Sequence, residues 1–81
     1  MKTSLISPVL NEEKNIKKFL NSILKQTVRP DEVIIVDGGS KDKTYQILEK
    51  YSRKYKWIKI YKKIGFNISQ GRNYAIKKSK G

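Results

Sequence analysis

A parallel α/β layer, ordered strand, helix, strand, helix, strand, helix, is the fold class that this sequence of 81 residues predicts. Three observations lead there. Stretches that read as strands alternate with stretches whose apolar residues recur every three or four positions. The run Val33-Ile34-Ile35-Val36 is β-branched throughout, which suits a strand covered on both faces. The connections are short, and alternating elements joined in this way form a parallel sheet with right-handed crossovers. No repeat, linker or low-complexity stretch divides the chain, so residues 1–81 read as one unit.

The first strand is Thr3 to Ser7, ended by Pro8, whose missing N–H cannot continue a central ladder. Asn11 then reads as the N-cap of a helix, with Glu12 and Glu13 in the first turn where the helix dipole favours acids. Ile16, Phe19, Leu20, Ile23 and Leu24 make its apolar stripe, and Gln26 to Pro30 breaks it. The second strand follows, ended by Asp37-Gly38-Gly39-Ser40 as a flexible turn. A second helix begins near Asp42 and turns Ile47, Leu48, Tyr51 and Tyr55 inward. Trp57 to Tyr61 alternates large apolar residues with Lys59, as a half-buried strand does. A loop containing Lys62, Lys63, Gly65 and Asn67 leads to Ser69 as a cap and to a last helix, Gln70 to Lys80, with Tyr74, Ala75 and Ile76 as its apolar patch.

Composition excludes several chemistries. Without cysteine there are no disulfides, thiolate nucleophiles or thiolate zinc sites, and without histidine there is no imidazole base. Any metal would need oxygen ligands, which suit magnesium, calcium or manganese. The net charge of +12 is uneven, because all seven acids lie before Lys50 and the stretch from Lys50 to Gly81 has none. Such a field attracts phosphates, nucleic acid or an anionic bilayer face, although exposed lysines also serve solubility alone. The sequence has no apolar run of the roughly 20 residues that cross a bilayer, and its start is too short in apolar residues for a signal peptide. The expected location is cytoplasmic, with room for a peripheral place at the membrane face.

In open parallel sheets, ligands bind beyond the carboxyl ends of the strands. Three segments converge there: Pro8 to Glu12, Asp37 to Asp42, and Lys62 to Asn67. They carry no dinucleotide fingerprint, no P-loop and no nucleophile elbow. What remains is Asp37, able to accept hydrogen bonds from a base or ribose; Gly38 and Gly39, which admit a flat ligand close to the backbone; and Arg72, able to clamp phosphate oxygens. Each has a plainer reading too. Asp37 before two glycines is a turn former, Glu12 suits a helix start without any ligand, and Ser40 and Asp42 suit helix caps.

Ser7-Pro8-Val9-Leu10-Asn11-Glu12-Glu13, Gln26-Thr27, Val36-Asp37-Gly38-Gly39-Ser40-Lys41-Asp42-Lys43-Thr44 and Gly71-Arg72-Asn73-Tyr74-Ala75-Ile76, closing on Gly81, occur in one order across nearly the whole chain. Together they resemble the family 2 glycosyltransferases, whose signatures read Pro-Thr-Tyr-Asn-Glu, Gln-Thr, Val-Asp-x-Gly-Ser-x-Asp-x-Thr and Ala-Arg-Asn-x-Ala/Gly-Ile. The resemblance implies the GT-A fold, a Rossmann-like sheet that grips a nucleotide sugar, UDP- or GDP-linked. By that analogy Pro8, Leu10 and Glu12 lie against base and ribose, Asp37 and Gly38 at the nucleoside, and Arg72 near the nucleotide. Two positions depart from the pattern: Leu10 stands where an aromatic stacks on the base, and Gly38 where a second acid is common.

The resemblance also implies what these 81 residues lack. In the family, the glycine matched by Gly81 leads into a strand with Asp-x-Asp, which holds a divalent cation, magnesium or manganese, that bridges the diphosphate; a carboxylate base lies further on. This sequence contains no Asp-x-Asp pair, so it carries neither metal ligands nor a catalytic residue of its own, and activity by the isolated chain is not expected. The family places that next strand beside the first, which predicts a bare edge at Thr3 to Ser7 here. Such an edge favours self-association or docking of a separate C-terminal half. Two other classes stay open. One is a basic nucleic-acid-binding module, the less favoured partner, which predicts steeply salt-dependent binding; the other is a non-catalytic truncated fragment.

Overall fold

The β-branched run becomes the middle of the sheet. In the computed structural model, which describes residues 3–79, β1 (Ser4–Val9), α1 (Glu13–Leu24), β2 (Glu32–Asp37), α2 (Thr44–Lys54), β3 (Ile58–Lys62) and α3 (Ile68–Lys78) alternate. The three strands are parallel and ordered β1-β2-β3. All six residues of β2 are buried, as a strand covered on both faces must be.

Side chains alternate across the sheet and divide the core in two. Val33, Ile35 and Ile58 pack with Val9 against Ile16, Leu20 and Ile23 of α1 and Leu48 of α2. On the other face, Ile34 and Val36 meet Ala75 of α3, with Ile6, Tyr61, Phe66 and Tyr74 half-buried around them. Tyr51, Tyr55 and Trp57 lie partly buried against the first core, so they are packing residues. Gly71 of α3 faces Pro8 and Val36, and the absence of a side chain lets the helix sit close over the ends of β1 and β2.

Four expected boundaries move, each for a local reason. Pro8 does not stop β1; it stays in register with Val36, because β1 is an edge strand among the described residues and a missing N–H is tolerated there. Asn11 is not the N-cap of α1, which starts two residues later; its backbone adopts φ 52° and its side chain serves another loop. α2 opens at Thr44, with Asp42 accepting from the Thr44 N–H at 2.9 Å. α3 is capped by Asn67, not Ser69: Asn67 Oδ1 accepts from Gln70 N–H at 2.8 Å, and Gln70 Oε1 accepts from Asn67 N–H at 2.9 Å, a complete capping box. Lys80, the expected end of that helix, and Gly81 lie outside the described residues.

Glu32 is an addition to the picture. Its side chain is buried on the α3 face, where Ser4 Oγ donates to Oε2 and Lys59 Nζ pairs with Oε1 at 3.2 Å. A buried carboxylate without such partners would be expensive. The contact therefore joins all three strands at the amino end of the sheet.

Candidate nucleotide site at the carboxyl ends of the strands

The loops after β1 and β2 are stitched together by side chains 29–32 residues apart. Asn11 N–H donates to Ser40 Oγ, and Asn11 Oδ1 accepts from Lys41 N–H. Glu12 N–H donates to Thr44 Oγ1 and Glu13 N–H to Asp42 Oδ2, so the second loop satisfies amides at the start of α1. Glu13 Oε1 in turn accepts from Lys43 N–H. The start of α1 is thus capped by Asp42 and Thr44 at the start of α2, while the Lys43 amide is met by Glu13 of α1 and the Thr44 amide by Asp42 of its own loop; neither N-cap residue caps its own helix.

Asp42 is central to that junction. The Thr44 hydroxyl holds its carboxyl below the ordinary value of 3.8, burial opposes this, and the amides of Thr44 and Glu13 add to the lowering. The folded state therefore favours the charged form. This contribution is complete above the ordinary carboxylate pKa and is lost as pH falls through the lowered folded value. Thermal midpoints should drop across that acid window, and Asp42→Asn should flatten this part of the curve.

Asp37 ends β2 with no exposed surface. Its Oδ1 accepts from Gly39 N–H at 2.7 Å and Ser40 N–H at 2.6 Å, while Oδ2 is buried and has no hydrogen-bond partner. The carboxylate is therefore first a turn holder, lying beneath the loop it shapes. Beside it, Tyr45 has its phenol pushed above 10.0 by burial, with the charges of Glu49 and Asp37 adding to the shift. Lys62 Nζ sits 4.9 Å from the centre of the Tyr45 ring.

The third loop folds over the second. Lys63 N–H donates to Asp37 O and Gly65 N–H to Gly38 O, at 2.8 and 3.0 Å. A Cβ on Gly38 would stand 2.5 Å from the Phe66 carbonyl oxygen, so only glycine permits this approach. Where the resemblance notes a second acid, this chain has a loop crossing instead. Gly38→Ala should push that loop outward and lower stability by about 1–3 kcal/mol, visible as a lower melting temperature and faster exchange of the Gly65 amide.

These loops border an open hollow of about 460 Å³ lined by Leu10, Asn11, Gly38, Gly39, Lys41, Ile64, Gly65, Phe66 and Asn67. Leu10 and Gly38 meet there. Pro8 and Glu12 line a separate hollow of about 240 Å³ with Ser7, Val9, Asn15, Ile16 and Phe19, beside the edge strand. Asp37 lies under the turn, and Arg72 is exposed on α3 next to Gly71, outside the lining of both hollows. The sequence reading missed Ile64 and Phe66, for which the one available signal was Gly65 inside a turn. Among the described residues no group of three or more Asp, Glu, His or Cys side chains converges as a metal site, and Glu13 and Asp42 are committed to backbone amides. The residues present do not fit a divalent cation.

Comparison with known proteins agrees with this geometry. The model of glycosyl transferase family 2 matches residues 4–81. A cholesterol galactosyltransferase of Borreliella burgdorferi is 30% identical over 80 residues, covering 99% of this chain and 22% of that protein. The poly(ribitol-phosphate) beta-N-acetylglucosaminyltransferase TarS of Staphylococcus aureus is 40% identical over 85 residues, covering 100% of this chain and 15% of that one. The crystal structure of S. aureus TarS 1-349 superposes with a TM-score of 0.85 at 40% identity, covering all of this chain and 25% of that one. The chain thus spans about a quarter or less of the length of these relatives. The three-stranded parallel sheet, its alternating helices and the match across residues 4–81 place the chain in glycosyl transferase family 2.

Proposed function

We propose that these residues form the nucleotide-binding part of a glycosyltransferase that takes its sugar from a UDP- or GDP-linked donor. The observation that carries this is the hollow of Leu10, Gly38, Gly39, Ile64 and Phe66, which lies where parallel sheets hold nucleotides. Asp37 acts on it through the turn, while Pro8 and Glu12, which line the neighbouring hollow beside β1, and Arg72, exposed on α3, lie outside it and would meet other parts of a bound donor. On this reading any divalent cation and any catalytic base of the transfer would be held by residues other than these. Two relatives are named for acting on poly(ribitol phosphate), and the acid-free charge from Lys50 to Gly81 suits a polyanionic acceptor or an anionic membrane face. We place the protein in the cytoplasm on this reading; among the described residues, no helix is long and apolar enough to cross a membrane.

The test is titration of isotope-labelled protein with UDP, GDP and their sugars. Amide shifts at Leu10, Gly38, Gly39 and Arg72 are expected at millimolar ligand or below. Absence of any shift at that concentration removes the proposal.

A further inference from the structure

We infer that the amino end of the sheet, opposite the candidate nucleotide site, is a docking surface for an anionic lipid bilayer, with Val28 as its apolar tip. This rests on the membrane-face part of the reading above, to which it assigns one end of the molecule, and is independent of the nucleotide part. Each helix runs back from the carboxyl end of the preceding strand, so all three finish at the amino end. Lys25 closes α1, Arg53 and Lys54 close α2, and Lys77 and Lys78 close α3, every one of them exposed. Basic residues suit helix C-termini in any protein. The turns that lead from α1 to β2 and from α2 to β3 go beyond that need. Arg29 and Lys56 add charge there, and Val28 stands 84% exposed between them and the end of α1.

The apolar part of this surface is built from both turns. Val28 and Trp57 line an open hollow of about 490 Å³, with Arg29 and Asp31 beside them. The Arg29 guanidinium lies 5.0 Å from the centre of the Trp57 ring, and the Tyr55 ring is tilted against the indole at 5.9 Å. Trp57 and Tyr55 pack partly on the first core and line this hollow and its neighbour with the rest of their surface. The neighbour is a groove of about 390 Å³ between α1 and α2, lined by Lys17, Lys50, Lys54 and Tyr51 and by no acid. Among the described residues these lysines make no ion pair. The nearby acids are engaged: Asp31 accepts from the Thr3 N–H at 2.7 Å, and Glu32 is buried against Lys59. An aliphatic tip, aromatic rings behind it and unpaired cations around it match the layers of a bilayer surface. The tip enters the acyl boundary, the amphipathic rings sit among the headgroups, and the ammonium groups meet lipid phosphates. A single-stranded nucleic acid would use the charges and the rings but not Val28. Docked this way, the chain keeps the hollow at the carboxyl ends of its strands in water, where a nucleotide sugar is dissolved.

The test is cosedimentation of the protein with vesicles of phosphatidylcholine alone and of phosphatidylcholine with about 30% phosphatidylglycerol, an anionic lipid. Wild type should pellet with the anionic vesicles and not with the neutral ones, less so as salt is raised. Val28→Ser should weaken binding about fivefold, because the tip no longer enters the acyl boundary. Lys54→Gln combined with Lys56→Gln should weaken it by more than about tenfold. Lys62→Gln combined with Lys63→Gln removes the same charge at the carboxyl end and should stay within about threefold of wild type. Val28, Lys54 and Lys56 are exposed and belong to neither core, so their variants should melt at the wild-type temperature. If both lysine pairs weaken binding equally, or Val28→Ser binds as wild type does, this docking surface is wrong and the membrane reading stands. A preference for a single-stranded oligonucleotide over the vesicles, unmoved by Val28→Ser, overturns it as well. If wild type pellets with neither vesicle, the surface and the membrane reading fall together, and the nucleotide reading is untouched.

Discussion

Replacing Asp37 with alanine should cost about 2–4 kcal/mol of folding stability, read as a lower urea midpoint at unchanged slope. The side chain is buried and holds two amides at 2.6 and 2.7 Å through one oxygen. Hydrogen bonds to a charged group contribute about 1.5–3 kcal/mol each, and removing a buried oxygen that has no partner offsets part of that loss. Asp37→Asn separates structure from ligand chemistry. Asparagine keeps an acceptor for Gly39 and Ser40, so the turn should survive with a loss of about 1–2 kcal/mol. Because the carboxylate has no exposed surface, Asp37→Asn should bind nucleotide within a few-fold of wild type. A folded Asp37→Asn protein that no longer binds would show that the ligand reads the carboxylate directly.

The second large effect is expected at Leu48. It is the one fully buried apolar residue of α2, with Ile47, Tyr51 and Tyr55 only partly covered beside the same core. Leu48→Ala removes transfer energy and leaves a cavity, together about 3–5 kcal/mol. A domain of this length has a total of roughly 4–12 kcal/mol, so the variant should be substantially unfolded at 37 °C by circular dichroism. Leu48→Met, which conserves volume, should lose less than about 1.5 kcal/mol. Equal melting temperatures for Leu48→Ala and wild type would mean that α2 is held by other contacts.

The order of elements was legible because it is written in periodicity. Ile16, Leu20 and Ile23 recur on one helical face, and Val33 to Val36 is apolar throughout; both segments lie in the core. The family signatures were legible for the same reason, being short and local. Part of what escaped was carried by pairs distant in the chain. Asn11 looks like a cap beside its own helix, yet its partners are Ser40 and Lys41. Asp37 was legible as a turn former, because the amides it holds, those of Gly39 and Ser40, are local. Ser69 and Asn67 are both capping residue types, and only Gln70 three residues after Asn67 decides between them. Ile64 is an unremarkable aliphatic residue until the loop bonds bring it over Gly39.

The Ser4–Glu32–Lys59 contact has a further consequence for how the strands find one another. Glu32 lies on the same side of β2 as Ile34 and Val36, and Ser4 and Lys59, which it meets, come one from each flanking strand. A slip of β2 by a single position would turn Glu32 toward Leu20 and Leu48 and strand its charge in hydrocarbon, while presenting Val33 to Ser4 and Lys59. An all-aliphatic β2 would accept either alignment. The acid makes one of them intolerable, so a residue that adds little net stability acts as a proofreading mark for sheet assembly.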